Sequence, residues 1–296
     1  MSSAPLVVTL RAVQNFTLNI AGQLLTLNAP VVMGIVNVTP DSFFAGSRVT
    51  ADDAIAQRVQ QIVAEGGAMV DVGAYSTRPG CSEVSADEEM RRLRAALTVV
   101  RRVAPELPLS IDTFRPDVAR MCVTEFGAAV VNDVSGGSAE MYATVAELHV
   151  PYVLTYNNMH ARRHDDVVVD CLYFLAERRA MLHDMGVADI IVDPGLGFNK
   201  STEECFELMS SLERLHELDC PVLVGASRKS MVYRTLGITP DEALNGTTVL
   251  HTIALQKGVQ MLRVHDVREA VQAITLCSMI RSQQSNNTIQ CFYHSR

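Results

Sequence analysis

From residue 31 onward the chain repeats one alternation. Short unbroken apolar runs, such as Ala129-Val130-Val131, Tyr152-Val153-Leu154 and Ile190-Ile191-Val192, are each followed by a longer stretch with helical periodicity. Runs, as opposed to strict alternation, are what parallel strands buried on both faces require. The pattern predicts strands at about 31–37, 69–73, 109–112, 129–132, 152–155, 190–193, 222–225 and 261–264. It predicts helices at about 52–65, 86–103, 116–126, 139–148, 165–185, 202–217, 228–236 with 240–257, and 267–282. Punctuation agrees: Gly66-Gly67, Gly127 and Gly186 stop helices, Pro116 suits a first turn, and Ser85 with Glu88 fits a capping box.

Eight such units in about 250 residues point to an α/β protein, a closed (β/α)8 TIM barrel. An open doubly wound sheet is the alternative, because the two differ by only a strand or two in the count. Residues 6–27 alternate around Phe16, Leu18 and Ile20, with Ala21-Gly22-Gln23 as a turn, and predict a β-hairpin packed outside the barrel. No linker divides the 296 residues, so one domain is expected: hairpin 6–27, barrel 31–282, and a polar, mobile tail over 283–296.

Composition narrows the function classes. The formal net charge is −8 with no basic run, which argues against a general nucleic-acid binder. No apolar run reaches membrane-spanning length, and no secretory signal precedes the first strand. The seven cysteines are odd in number and lack metal-type spacing, so free thiols in a reducing, cytoplasmic setting are expected.

The candidate chemistry lies where the strands end. The first runs from Val31 to Asn37 and breaks into Thr39-Pro40-Asp41-Ser42-Phe43. The second carries Asp71 and leads to Ser76-Thr77-Arg78-Pro79-Gly80. The next two end in Asp112-Thr113 and Asn132-Asp133. The sixth ends in Asp193-Pro194-Gly195, the seventh leads into Ser227-Arg228-Lys229-Ser230, and the eighth ends in Arg263-Val264-His265-Asp266. In a barrel these ends share one face and one opening. A single polar end is a turn or a cap, and Thr-Pro-Asp-Ser is good turn chemistry; seven converging ends make an active site.

Two groups can be sorted. Asp112, Asn132, Asp193 and Lys229 could line a deep slot for a flat heterocycle rich in N–H and C=O groups. Arg78, Arg263, His265 and Asn37 would stand nearer the rim. The arginine forks suit phosphate, and the amide oxygen of Asn37 suits a hard cation such as Mg2+. Ser230 starts a helix, where free N–H groups favour an anion. Asp71, in mid-strand, fits a site residue and a structural partner of a nearby Arg or Lys equally well. Asp133 and Asp266 read as helix caps. The seven histidines other than His265 share no ligand spacing, and no convincing Ser-His or Cys-His nucleophile pair stands out.

These motifs, in this order and spacing over about residues 31–277, resemble dihydropteroate synthase, with Ser47-Arg48, Gly73-Ala74-Tyr75 and Asn245-Gly246-Thr247-Thr248 similar to the Bacteroidetes-type enzymes. The resemblance implies a folate-biosynthesis transferase blocked by sulfonamides. It joins 6-hydroxymethyl-7,8-dihydropterin diphosphate to 4-aminobenzoate in a homodimeric barrel, with Mg2+. It further implies that Asp112, Asn132, Asp193 and Lys229 hold the pterin, that Asn37 bears on Mg2+ and diphosphate, and that Arg78, Arg263 and His265 bind the anion. Thr77, Pro79, Phe198 and Ser230 would frame the aminobenzoate, and loop 38–48 would close over the site through Phe43.

The chain departs from the family pattern at Thr155, where a methionine usually packs on the pterin. Further departures are the shortened run to His164, Asn199 where glycine is common, and Ala45 where many members have an acidic residue. Two other readings compete: a pterin-binding paralogue that has lost catalysis, suggested by segment 155–164, and a methyltetrahydrofolate-linked methyltransferase. The latter has no need of the Asn37–Phe43 or Ser76–Gly80 loops.

Overall fold

The structure is a computed structural model that describes residues 16–20, 22–38, 48–75, 84–157 and 163–293, with side chains for all but 48–50 and 284–293. Strands β1 (Phe16–Ile20) and β2 (Gln23–Leu27) form an antiparallel hairpin. Eight parallel strands follow: β3 (Val31–Asn37), β4 (Met69–Gly73), β5 (Leu109–Asp112), β6 (Val130–Asp133), β7 (Tyr152–Thr155), β8 (Ile190–Asp193), β9 (Leu223–Val224) and β10 (Met261–Val264). Their spatial order runs from β8 through β7, β6, β5, β4, β3 and β10 to β9, and a parallel bridge between Val192 and Val222 joins the two ends. The ring therefore closes, and the barrel reading holds against the open sheet.

The helices are α1 (Arg48–Ala64), α2 (Ala86–Val103), α3 (Pro116–Phe126), α4 (Ala139–Leu148), α5 (Val167–Asp184), α6 (Thr202–Ser210), α7 (Ser230–Leu236), α8 (Leu244–Gln256) and α9 (Val267–Tyr293). Local chemistry explains most boundaries. Pro116 opens α3 and Gly127 ends it in the left-handed region, φ 61°. Ser85 caps Glu88 N at 3.3 Å, but the Glu88 carboxylate turns to Arg91 and Arg92; the reciprocal capping box is at Ser201 and Glu204.

Several boundaries differ from the sequence expectation. The helix expected over 202–217 gives way at Ser211 to a 3-10 segment, Leu212–Leu218. The seventh strand keeps two residues. The last helix continues to Tyr293 through the polar run read as a tail, because Ser-Gln-Gln-Ser contains nothing that forbids helix.

The hairpin does not lie along the outside of the barrel. Leu18, Ile20 and Leu27 pack with Met33, Met69, Val130, Val153, Ile191, Leu223 and Met261 and so stopper one end. A second, larger cluster fills the layer between strands and helices, including Val70, Leu97, Ile111, Leu154, Leu175 and Leu262. With its lower end sealed by apolar side chains, the barrel has one opening left, at the carboxyl ends of the strands.

Candidate active site

Strand register fixes what meets at that opening. Asn37 lies beside Gly73, Gly73 beside Asp112, Asp112 beside Asn132, and Thr155 beside Asp193. Arg263 reaches across from β10. Its Nε donates to Asp71 Oδ2 at 2.6 Å and its Nη2 to Asp112 Oδ2 at 2.6 Å. The same Asp71 oxygen accepts Asn132 Nδ2 at 2.9 Å. This is a correction to the two-group division: Arg263 is no rim residue, and its side chain is only 14% exposed in an ion-pair cluster with the slot acids. It also resolves Asp71, which is fully buried and partnered by Arg263.

On the other side of the opening, Lys229 is held by the Leu196 carbonyl and lies 4.2 Å from the centre of the Phe198 ring. A Cβ on Gly225 would meet Lys229 Nζ at 3.8 Å and Arg263 Cβ at 3.9 Å, so the two cations flank that glycine. Asp193 is buried and takes Gly195 N at 2.7 Å. Gly195 has φ +64°, and a Cβ there would meet the Tyr156 carbonyl oxygen at 2.0 Å, so the turn beside Asp193 admits only glycine.

The electrostatics follow from burial. Desolvation pushes the Lys229 ammonium down to about 8, although Asp193 opposes the shift. Desolvation raises both Asp112 and Asp193; Arg263 opposes it for the first, and Lys229 for the second. Burial alone would lower the Arg263 guanidinium, but Asp71 and Asp112 outweigh it and raise it, so it stays a cation. Burial, with Arg263 nearby, lowers His265 to about 4 and leaves it neutral at pH 7. Ser227 Oγ accepts His265 N at 3.1 Å and also lies 3.1 Å from His265 Nδ1.

The structure thus brings together Asp112, Asn132, Asp193, Lys229, Arg263, His265 and Phe198. Ser230 is the first residue of α7, half-buried directly after Lys229, and Asn37 closes β3 with no side-chain hydrogen bond among the described residues. Thr77, Arg78, Pro79 and Phe43, with the loop expected to close, lie outside the described residues. Asp133 is no cap: its carboxylate binds Ser135 and the Tyr152 hydroxyl, while Ser138 caps α4. Asp266 spends its carboxylate on Arg228, at 2.9 Å to each of two nitrogens.

Sequence reading missed several supporting groups. Arg58 on α1 ties the Ile35 and His265 carbonyls at 3.2 and 2.6 Å, joining β3 to β10. Lys200 gathers the carbonyls of Tyr156, Gly195 and Phe198 within 2.7–3.2 Å. Asn199, at φ 49°, donates to Asn157 Oδ1 at 2.8 Å, and Asn157 donates to Val134 O at 2.7 Å. These two amides tie the ends of β6, β7 and β8 where the segment after β7 is altered. A cavity of about 260 Å³ between α1 and α2, lined by Val38, Asp52, Ile55, Arg91 and Arg92, lies outside this cluster. Its two arginines are already paired with Glu88, so we place the chemistry at the strand ends.

The comparisons with known proteins address the same face. The family model of the pterin binding enzymes matches residues 33–265, from β3 to His265. The dihydropteroate synthase of Bacillus subtilis is 38% identical over 245 residues, 81% of this chain and 84% of its own. The chain belongs to the dihydropteroate synthase family. These are transferases of folate biosynthesis. Among solved members of the family, the Xanthomonas albilineans dihydropteroate synthase with 4-aminobenzoic acid superimposes with a TM-score of 0.83 at 39% identity, covering 90% of this chain and 99% of that one. The same enzyme in complex with 7,8-dihydropteroate gives 0.80 at 38% identity, covering 90% and 98%.

Proposed function

We propose that this chain condenses 6-hydroxymethyl-7,8-dihydropterin diphosphate with 4-aminobenzoate, yielding 7,8-dihydropteroate and diphosphate, with the pterin seated among Asp112, Asn132, Asp193 and Lys229. The observation that carries this reading is the buried cluster of opposite charges at the one open end of the barrel. Its acceptors and donors match a heterocycle that offers both. The C–O bond at the pterin methylene breaks first, and its electron pair leaves with the diphosphate. Arg263 and His265, with Arg78, stabilise that leaving anion. The positive charge left on the pterin is spread over the ring, where Asp112 and Asp193 favour it. The aminobenzoate nitrogen then forms the new C–N bond and gives up a proton. Thr77, Pro79, Phe198, Ser230 and Phe43 frame this second substrate, and sulfonamides compete for the same place.

Mg2+ fits this arrangement in a limited way. Among the described residues no cluster of three His, Cys, Asp or Glu side chains could hold a metal. Asn37, whose side chain has no hydrogen bond among the described residues, offers an amide oxygen at the opening, and Mg2+ is commonly held by one or two protein oxygens together with phosphate and water. When bound, the ion supplies positive charge to the leaving diphosphate.

A homodimer is supported by the exposed Val249 and Ile253 on α8 beside Leu276, Met279 and Ile280 on α9, two helices that pack together. A reducing, cytoplasmic setting is supported by the free thiols of Cys122, Cys171, Cys205 and Cys220, all buried. Among the described residues no helix is long and apolar enough to cross a membrane. The test is an assay of purified protein with both substrates and Mg2+, run with light scattering. Product formation, competitive inhibition by a sulfonamide and a dimer mass are expected. A folded protein that makes no dihydropteroate would overturn the reading and favour a binding paralogue.

A further inference from the structure

Asp71 is fully buried in β4, two register positions deeper than Gly73: it lies beside Ser110, whereas Gly73 lies beside Asp112. One of its oxygens, Oδ2, does two things. It takes Arg263 Nε at 2.6 Å and Asn132 Nδ2 at 2.9 Å. A carboxylate paired with a guanidinium is only an acceptor, so the Asn132 amide must turn its NH2 toward Asp71. The other end of that amide, Oδ1, is then directed away from Asp71. It is buried and has no hydrogen-bond partner among the described residues. A buried carbonyl oxygen left unpaired costs stability, and native proteins tolerate this chiefly where a ligand or water completes it.

We propose that Asp71 is a positioning residue for the pterin site: by holding Asn132 Nδ2 and Arg263 Nε on one oxygen, it fixes Asn132 as an acceptor. The bound heterocycle must therefore present an N–H donor to Asn132. This rests on the pterin reading given above. The same carboxylate holds the inner edge of the Arg263 fork and leaves Nη2 for Asp112, at 2.6 Å. Asp71 thus sets the polarity of one slot residue and the pose of another.

The test compares Asp71→Asn, Asn132→Asp and the double exchange, using calorimetric binding of 6-hydroxymethyl-7,8-dihydropterin diphosphate with Mg2+ and steady-state kinetics. Asn at 71 introduces a donor that lets the Asn132 amide turn over, so binding should weaken by about tenfold or more, the size of one lost charge-assisted hydrogen bond. KM should rise more than kcat falls. Asp at 132 sets two carboxylates face to face and should also weaken binding. In the double exchange, the atom of Asp71→Asn that takes the place of Oδ2 can accept from Arg263 or donate to the carboxylate of Asn132→Asp, not both, but the repulsion between two facing carboxylates is removed. Binding better than that of Asn132→Asp alone is expected, and a merely structural role would not produce it. Unaltered binding by Asp71→Asn, or a double exchange no better than Asn132→Asp, would overturn the proposal alone. Failure of the unaltered chain to bind the pterin overturns the functional reading, and this inference with it.

Discussion

Met69, Val130, Val153, Ile191 and Met261 pack beside the hairpin at the sealed end of the barrel. Two positions further along the same strands stand Asp71, Asn132, Thr155, Asp193 and Arg263. Residues i and i+2 of a strand share a face, so the two sets are successive layers of one interior. The lower layer is wholly apolar. The upper is polar and nearly as buried, and it contains three of the five buried side-chain atoms without a partner among the described residues: Asp71 Oδ1, Asn132 Oδ1 and Thr155 Oγ1. The division shows where the fold gains its stability and where it gives some up for binding.

That comparison can be broken most sharply in the upper layer. Lys229→Ala and Asp112→Asn should each lower kcat/KM by about a hundredfold or more, the scale of losing a preorganised charged contact, with little change in melting temperature. Near-normal turnover in both would remove the slot from this end of the barrel. The lower layer should behave in the opposite way. Leu27→Ala empties a fully buried hairpin site and should cost about 2–5 kcal/mol in denaturant unfolding while kcat/KM at 25 °C stays unchanged. A loss of activity without a loss of stability would mean that the hairpin acts on the site directly.

The smallest effect concerns pH. The Lys229 ammonium, lowered to about 8, is protonated below that value and loses its proton as pH rises through it. If the charged form binds the pterin, kcat/KM should fall above about pH 8, by roughly tenfold per unit, well before an ordinary lysine would titrate near about 10.4. A profile flat from neutrality to about pH 9.5 would deny Lys229 that role.

Much of this was legible in the sequence because each signal was local. The strand Met261–Val264 matches its expected range since the run is apolar throughout and ends in charge. Pro116 and Gly127 mark their helix because each has a backbone reason to sit where it does. The gathering of Asp112, Asn132, Asp193 and Lys229 was legible because barrel topology brings all strand ends to one face. What escaped were partnerships across long sequence separations. Asp71 and Arg263 are 192 positions apart, and which of several acids an arginine will choose is not written near either residue. Arg58 and Lys200 bind backbone carbonyls, which every residue has and no pattern marks. Asn199 reads as an oddity in place of glycine until Asn157 is seen to meet its amide.

One feature of the ring bears on how the slot can give. Between β8 and β9 the barrel is joined by the single pair Val192 and Val222, with Val192 N donating to Pro221 O at 2.9 Å, while the other neighbouring strands share two to five pairs. Asp193 stands at one side of this seam and the loop bearing Lys229 at the other. A hoop with one thin weld bends first at the weld. Small slippage there would change the gap between Asp193 and Lys229 and leave the rest of the hoop undisturbed.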